Sequence, residues 1–86
     1  MRVTLYSKPG CLLCDELKAD LVEYQQELGF ALEERNIELD PADLEKYRYL
    51  IPVLDIENGP LLYPPHHWDV TGAALRAAAG ASAKRN

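Results

Sequence analysis

The pattern of apolar and polar residues along the chain predicts a strand followed by a long helix. Val3 and Leu5 alternate with polar neighbours, which is typical of a half-buried strand over residues 2–6. From residue 12 to residue 28 the apolar residues recur at intervals of three or four, as on one face of an amphipathic helix. The residues predicted to form that face are Leu13, Leu17, Leu21, Tyr24 and Leu28. Gly29 follows and is expected to stop the helix.

The middle of the chain predicts a second strand and a short helix. From Phe30 to Leu39 the apolar residues alternate but change face partway, which indicates a strand with a bend or bulge. Asp40 and Pro41 are the residue types found at a helix N-cap and at the position after it. A short helix is therefore predicted to run from Pro41 to about Tyr49.

The next part of the chain predicts a β-hairpin. Residues 51–56 are mainly apolar and begin with a proline near the strand start, where a missing N–H is tolerated. Asn58-Gly59 is a strong signal for a tight hairpin turn, and residues 61–63 supply the returning strand.

A third helix is predicted for residues 70–79, with Asp69 as its N-cap and Gly80 as its end. Residues 1–80 are thus expected to form one domain, and residues 81–86 a flexible tail. The element order is β-α-β-α-β-β-α, a parallel pair of strands joined by a helix and then an antiparallel hairpin. This order predicts an α/β fold in which three helices cover the two faces of one four-stranded mixed sheet.

The composition is that of a small globular domain, with 86 residues of which 48% are hydrophobic and 27% charged. No apolar run is long enough to span a bilayer, and no signal-peptide core is seen, so we expect a cytoplasmic protein without membrane association. The net charge is −5 and the basic residues are scattered, which argues against nucleic-acid binding. We expect a monomer.

The two cysteines, Cys11 and Cys14, lie where the first strand passes into the first helix. A cysteine at a helix N-terminus faces free backbone N–H groups, which favour the thiolate, and the thiolate is the form that attacks disulfides. Lys8 adds a positive charge on the same side. In a cytoplasmic protein, a Cys-x-x-Cys pair is more often catalytic or metal-binding than structural. These residues therefore predict a site for thiol chemistry.

This succession of motifs resembles the thioredoxin superfamily, and specifically a small glutaredoxin-like protein. A first strand, Cys11-x-x-Cys14, a long helix, Ile51-Pro52-Val53, a hairpin and a capped last helix occur in the same order. The resemblance implies a thioredoxin-like (glutaredoxin-type) fold and a thiol–disulfide oxidoreductase, in which Cys11 attacks and Cys14 resolves the mixed disulfide. It also implies that Pro52 is a cis-proline facing the sulfurs and that the backbone of Ile51 pairs with the substrate.

The same resemblance assigns some residues to glutathione, but the set is incomplete. Lys8 and Arg48 would supply cations, and Asp69 would hold the γ-glutamyl group. The glycine pair usual in glutaredoxins is replaced here by Pro65-His66-His67-Trp68, and Leu12-Leu13 is an unusual dipeptide between the cysteines. We therefore predict no bound cofactor and weak binding of glutathione as a co-substrate. The expected partners are disulfide-containing proteins or small molecules, with glutathione or a thioredoxin-reductase-like enzyme as the reductant.

Other uses of the same residues are a non-enzymatic binding domain, with a groove at Ile51-Pro52, or a metal-binding protein. Cys11 and Cys14 together with His66 and His67 have the residue types of a zinc site, and an iron–sulfur cluster shared between two copies would also use the cysteines. Adjacent histidines in an extended loop point apart, however, so a surface position is favoured for both histidines, and we predict no metal.

Overall fold

Seven helices and strands, in the predicted order, make up the chain between residues 1 and 83. The structure, a computed structural model, describes these residues, with side chains for residues 1–81. The elements are β1 (Arg2–Ser7), α1 (Leu12–Leu28), β2 (Ala31–Asn36), α2 (Pro41–Tyr47), β3 (Val53–Ile56), β4 (Leu61–Leu62) and α3 (Trp68–Ala83). None of the helices in this part of the chain is long and apolar enough to cross a membrane.

The four strands form one mixed sheet in the order β2-β1-β3-β4. β1 is parallel to β2 and antiparallel to β3, and β4 is antiparallel to β3. Leu5 of β1 pairs with Leu54 of β3, which in turn pairs with Leu62 of β4. The predicted α/β fold, with a four-stranded mixed sheet and three helices, is confirmed over the described residues. β1 is one of the two central strands, so the loop that follows it places the cysteines at one end of the sheet.

Two groups of buried side chains lie on opposite faces of the sheet. The larger group packs α1 and α3 against the strands and contains Val3, Leu5, Leu17, Leu21, Tyr24, Phe30, Leu54, Ile56, Leu75 and Ala78. The smaller group lies beneath α2 and contains Ile37, Tyr47 and Val53. Burying one large apolar side chain contributes about 1.5–3 kcal/mol, so these groups supply the main stabilisation of the fold.

The bounds predicted for α1 are confirmed. At its end, Gly29 adopts a left-handed conformation with φ 72°, and its N–H donates to the Gln25 carbonyl oxygen. The buried face, however, is formed by Cys14, Leu17, Leu21 and Tyr24. Leu13, which the periodicity predicts on this face, is 59% exposed. Cys14 lies about 100° further round the helix and takes the inward position of the first turn instead.

The strand predicted for residues 30–39 is shorter and contains no bulge. β2 ends at Asn36, and Ile37–Leu39 form a 3₁₀ turn. The Asn36 side chain accepts a hydrogen bond from the Glu38 N–H at 2.9 Å and so starts this turn. Ile37 is thereby directed into the smaller buried group.

The bounds of α2 are as predicted at one end only. The Asp40 side chain accepts hydrogen bonds from the N–H groups of Ala42 and Asp43, which confirms it as the N-cap. The helix ends at Tyr47 and not at Tyr49, and the N–H groups of Leu50 and Ile51 then both donate to the Tyr47 carbonyl oxygen.

The hairpin is confirmed, although its strands are shorter than predicted. Asn58 lies in the turn with φ 64°. A Cβ placed on Gly59 would lie 3.0 Å from Ile56 Cγ2 and 3.2 Å from Ala78 Cβ. Glycine is therefore favoured at this position by the close approach of the turn to α3.

The third helix is longer than predicted at both ends. It begins at Trp68, because the Thr71 N–H already bonds to the His67 carbonyl oxygen at 2.9 Å. Asp69 therefore lies in the first turn and is not the N-cap. The helix also continues through Gly80, since one glycine among alanines costs only about 1 kcal/mol. Of the predicted tail, residues 81–83 are helical and residues 84–86 lie outside the described residues.

Candidate active site

The two cysteines form a disulfide at the start of α1, with their Cα atoms 5.2 Å apart. Gly10 directly precedes them with φ 76°, a backbone conformation that glycine adopts without steric cost and that turns the chain from β1 into the helix. Cys11 is the N-cap of α1, and its Sγ accepts a hydrogen bond from the Cys14 N–H at 3.2 Å. Sequence and structure therefore agree on where the sulfurs lie.

The two sulfurs differ in their surroundings. Cys11 is half-buried at the helix end, whereas Cys14 is only 1% exposed and faces the core. A helix N-terminus with a donated N–H favours the anionic form of a thiol, and burial disfavours it. The two sulfurs therefore differ both in exposure and in depth within the first turn of α1.

The peptide bond between Ile51 and Pro52 is cis, as the family resemblance implied. Pro52 is buried, and it lines a pocket together with Leu13, which stands between the two cysteines. Pro52 therefore shares a pocket with a residue of the Cys-x-x-Cys segment, although neither cysteine lines that pocket. The Ile51 N–H donates to the Tyr47 carbonyl oxygen at 3.2 Å, so this donor is engaged within the chain.

His66 belongs to the same site, which the sequence did not indicate. Its Nε2 lies 2.6 Å from the Pro52 carbonyl oxygen, and since that oxygen can only accept, Nε2 carries the proton and donates. The contact joins two loops that are 14 residues apart, and the only sequence signal was that His66 follows the proline pair after the hairpin. The pattern favoured a surface position, whereas the ring is half-buried.

The pocket beside Pro52 has a volume of about 400 Å³. It is open to solvent between the first turns of α1 and the loop after β4. Its lining residues are Leu13, Glu16, Leu17, Asp20, Pro52, Pro64, Pro65 and His66. The walls are therefore mainly apolar, with two carboxylates at one side.

A polar pocket of about 270 Å³ lies on the other side of the cysteine loop and includes Lys8. Here Glu34 accepts hydrogen bonds from Lys18 Nζ at 3.0 Å and from Ser7 Oγ at 3.1 Å. The hydrogen bond from Lys18 holds the pKa of the Glu34 carboxyl below its usual value, and the one from Ser7 adds to this effect. These contacts tie β1, α1 and β2 together next to the cysteines.

The residues assigned to glutathione are spread over three elements. Lys8 lies in the loop before Cys11, Arg48 follows α2 with its guanidinium 4.9 Å from the centre of the Tyr49 ring, and Asp69 lies in the first turn of α3. Asp69 accepts a hydrogen bond from the neighbouring Val70 N–H at 3.0 Å. Among the described residues, none of these three lines the pocket beside Pro52.

Trp68, the first residue of α3, lies at the end of the loop that follows β4. Its ring stacks on Tyr24 with the ring centres 4.3 Å apart, and its carbonyl oxygen accepts a hydrogen bond from the Tyr24 hydroxyl at 2.8 Å. His67 is exposed. Within residues 1–83, no three His, Cys, Asp or Glu side chains are arranged so that they could hold a metal ion.

Comparison with solved structures finds the same architecture elsewhere. A Northeast Structural Genomics target protein from X. campestris is 29% identical, with a TM-score of 0.74 over 87% of this chain and 96% of that one. Thioredoxin 1 from the thermophilic eubacterium Thermosipho africanus is 11% identical, with a TM-score of 0.78 over 98% of this chain and 100% of that one. The thioredoxin-like fold is thereby confirmed.

A search of curated proteins finds no match to the chain. Residues 2–78, in contrast, match the family described as glutaredoxin-like domain (DUF836). This match covers both cysteines, the cis-proline and most of α3. The chain therefore belongs to the glutaredoxin-like domain family (DUF836) and has a thioredoxin-like fold.

Proposed function

We propose that the protein is a dithiol–disulfide oxidoreductase that uses Cys11 and Cys14. The observation that carries this proposal is the disulfide at the N-terminus of α1, with the Cys11 sulfur as the helix cap and the Cys14 sulfur buried behind it. Membership of a glutaredoxin-like family supports the same chemistry.

In the first step, the Cys11 thiolate of the reduced protein attacks one sulfur of a substrate disulfide. The bond between the two substrate sulfurs breaks, a mixed disulfide forms with Cys11, and the departing substrate thiolate takes up a proton. The N–H of Cys14 and the helix dipole stabilise the thiolate before it attacks.

In the second step, the Cys14 thiolate attacks Cys11 Sγ. The Cys11–Cys14 bond forms and the second substrate sulfur leaves as a thiolate that is then protonated. Overall, the substrate gains two electrons and two protons while the protein dithiol is oxidised to the disulfide. A thiol reductant must then restore the dithiol.

We further propose that this reductant is a dithiol or a thioredoxin-reductase-like enzyme, with glutathione a poor one. Lys8, Arg48 and Asp69 do not share the pocket beside Pro52, and Glu16 and Asp20 at its side repel the carboxylates of glutathione. The substrates are disulfide-containing proteins or small molecules.

Single-cysteine variants test the two-step mechanism. Cys14→Ser removes the resolving thiol, so a mixed disulfide with a substrate peptide is expected to accumulate and to be detected as an added mass. Cys11→Ser is the matched control and is expected to form no adduct with the folded protein. Equal trapping by both variants would contradict fixed roles, and a stoichiometric metal in the reduced wild-type protein would favour a binding function instead.

A further inference from the structure

The pocket beside Pro52 has mainly apolar walls, to which three prolines contribute. Leu13 and Leu17 of α1 form one wall, and Pro52, Pro64 and Pro65 form the other. The ring of proline fixes its φ angle, so these side chains cannot rotate away from the pocket. The hydrogen bond from His66 to the Pro52 carbonyl oxygen joins the two loops that contain the prolines. The volume of about 400 Å³ is within the range of small ligand sites.

The position of the pocket relates it to the chemistry. Leu13 lines the pocket and is two residues from Cys11 in the sequence, although neither cysteine lines the pocket itself. A residue next to a substrate sulfur bonded to Cys11 is therefore within reach of the pocket, since an extended residue spans about 3.3 Å. Leu13 is 59% exposed although it is apolar. An exposed leucine beside a reactive sulfur offers contact area to an incoming substrate without being needed by the core.

The two carboxylate side chains that line the pocket give it a negative charge. Glu16 and Asp20 are four residues apart on α1 and therefore lie on the same side of the helix. Both line the pocket, and no lysine or arginine does so among the described residues. Within residues 1–81 neither carboxylate forms an ion pair or side-chain hydrogen bond, so both charges are available to a partner.

We propose that this pocket selects the substrate: it receives an apolar side chain next to the substrate cysteine, and Glu16 and Asp20 pair with a lysine or arginine that follows it. The inference rests on the proposed oxidoreductase function and specifies its substrate class. The preferred substrate is a disulfide-bonded protein segment that is apolar and basic beside the cysteine. Segments with acidic residues there, and glutathione, are disfavoured by the same two carboxylates.

The test compares two capped peptides, each supplied as its symmetrical disulfide, with the sequences Ser-Cys-Leu-Arg-Ser and Ser-Cys-Leu-Glu-Ser. Reduced wild-type protein is mixed with each at low ionic strength, and the second-order rate constant is measured by acid quenching and mass spectrometry. We expect the arginine peptide to react faster, and the difference to shrink in high salt because exposed charges are screened. Hydroxyethyl disulfide, which is small and neutral, measures the intrinsic reactivity of the dithiol.

The charge effect is assigned by a matched pair of double variants. Glu16→Gln with Asp20→Asn is expected to lower the ratio of the two peptide rates by roughly three- to tenfold, the size of two exposed ion pairs. Glu38→Gln with Glu45→Gln changes the net charge from −5 by the same two units on exposed residues away from the pocket. This control is expected to leave the ratio unchanged.

The apolar contact is tested by two neighbouring leucines. Leu13→Ser is expected to slow both peptides several-fold relative to hydroxyethyl disulfide, because Leu13 lines the pocket. Leu12→Ser is the control, since Leu12 also stands between the cysteines and is 70% exposed but does not line the pocket. Neither change touches the buried core, so loss of folding does not confuse the comparison.

The outcomes separate this inference from the function on which it rests. If wild-type protein fails to reduce hydroxyethyl disulfide, the oxidoreductase proposal itself is wrong. If it reduces that probe but treats the two peptides alike, or prefers the acidic peptide or glutathione disulfide, the pocket proposal is overturned and the function stands. The pocket proposal is also overturned if the two double variants change the ratio of the peptide rates equally. The same holds if the peptide rates fall because the protein self-associates.

Discussion

Cys11 and Cys14 carry the same side chain in two different environments. The Cys11 sulfur receives an N–H hydrogen bond at the helix end, while Cys14 is 1% exposed. In the reduced protein we therefore expect iodoacetamide to modify Cys11 faster than Cys14, because Cys11 is the more accessible and lies at the helix N-terminus. Peptide mapping by mass spectrometry over a series of pH values measures both rates. Faster modification of Cys14 would reverse the proposed roles.

His66 is expected to hold the loop after β4 against Pro52. His66→Ala removes the hydrogen bond to the Pro52 carbonyl oxygen and should lower the free energy of unfolding by about 0.5–1.5 kcal/mol. Urea unfolding of the oxidised protein measures this change. His67→Ala is the matched control, because His67 is the exposed neighbour, and it should have little effect. An equal loss in both variants would mean that the 2.6 Å contact contributes nothing specific.

At this scale, residues with a local signal could be predicted and residues with a distant partner could not. Cys11 and Cys14 stand in one short motif and are also neighbours in the fold, whereas the cis bond before Pro52 was predictable only through the family resemblance. His66 acquires its place only when the hairpin brings its loop to Pro52, and nothing in the adjacent residues encodes that contact. Leu13 was misassigned for a related reason, since periodicity alone does not choose between it and Cys14 for the first inward position.

The packing of α1 on α3 depends on a glycine in the middle of a helix. A Cβ at Gly72 would overlap the Tyr24 ring, which also donates its hydroxyl hydrogen to Trp68 of the same helix. Gly72→Ala should therefore destabilise the protein by about 1–3 kcal/mol through overpacking, although alanine is the better helix former. Thermal unfolding followed by circular dichroism measures the change.

Gly80→Ala is the matched control in the same helix. A Cβ at Gly80 meets nothing within 4 Å, so the propensity of alanine should dominate and stabilise the protein by up to about 1 kcal/mol. Opposite signs for the two substitutions would establish that the Tyr24 contact is responsible. Stabilisation by both would show that Tyr24 moves aside without loss.

Element bounds followed the sequence where capping groups are local. Asp40 and Gly29 act on N–H and carbonyl groups within a few residues, and the predicted ends at these residues are correct. The 3₁₀ turn after Asn36 and the passage of α3 through Gly80 were not predicted because local signals compete at both places. The alternation of Phe30 and Leu32 favours a longer strand while the Asn36 side chain starts a turn, and Gly80 favours a helix end while the neighbouring alanines favour continuation.

The molecule as a whole is expected to be a poor partner for glutathione. Net charge −5 and the carboxylates beside Pro52 oppose an anionic tripeptide, so a glutathione-coupled disulfide assay should give slow turnover without saturation. A dithiol such as dithiothreitol, tested in parallel, should reduce the Cys11–Cys14 disulfide readily. The comparison uses the ratio of the two rates under the same conditions.

Two sets of variants test why turnover with glutathione is expected to be slow. Replacing Glu16 and Asp20 by their amides should raise the glutathione rate by up to about tenfold, because two negative charges that line the pocket are removed. Tight, saturable binding of glutathione to the wild-type protein, weakened by Lys8→Ala or Asp69→Ala, would instead place it among ordinary dithiol glutaredoxins.

The two outer strands of the sheet limit how other chains can approach. β2 presents Glu33, Glu34 and Arg35, and charged side chains on an outer strand discourage another strand from adding to it. β4 at the opposite side spans two residues between Pro60 and Pro64, and proline offers no N–H for pairing. Neither outer strand is suited to strand addition, so we expect the folded protein to resist aggregation through the edges of its sheet.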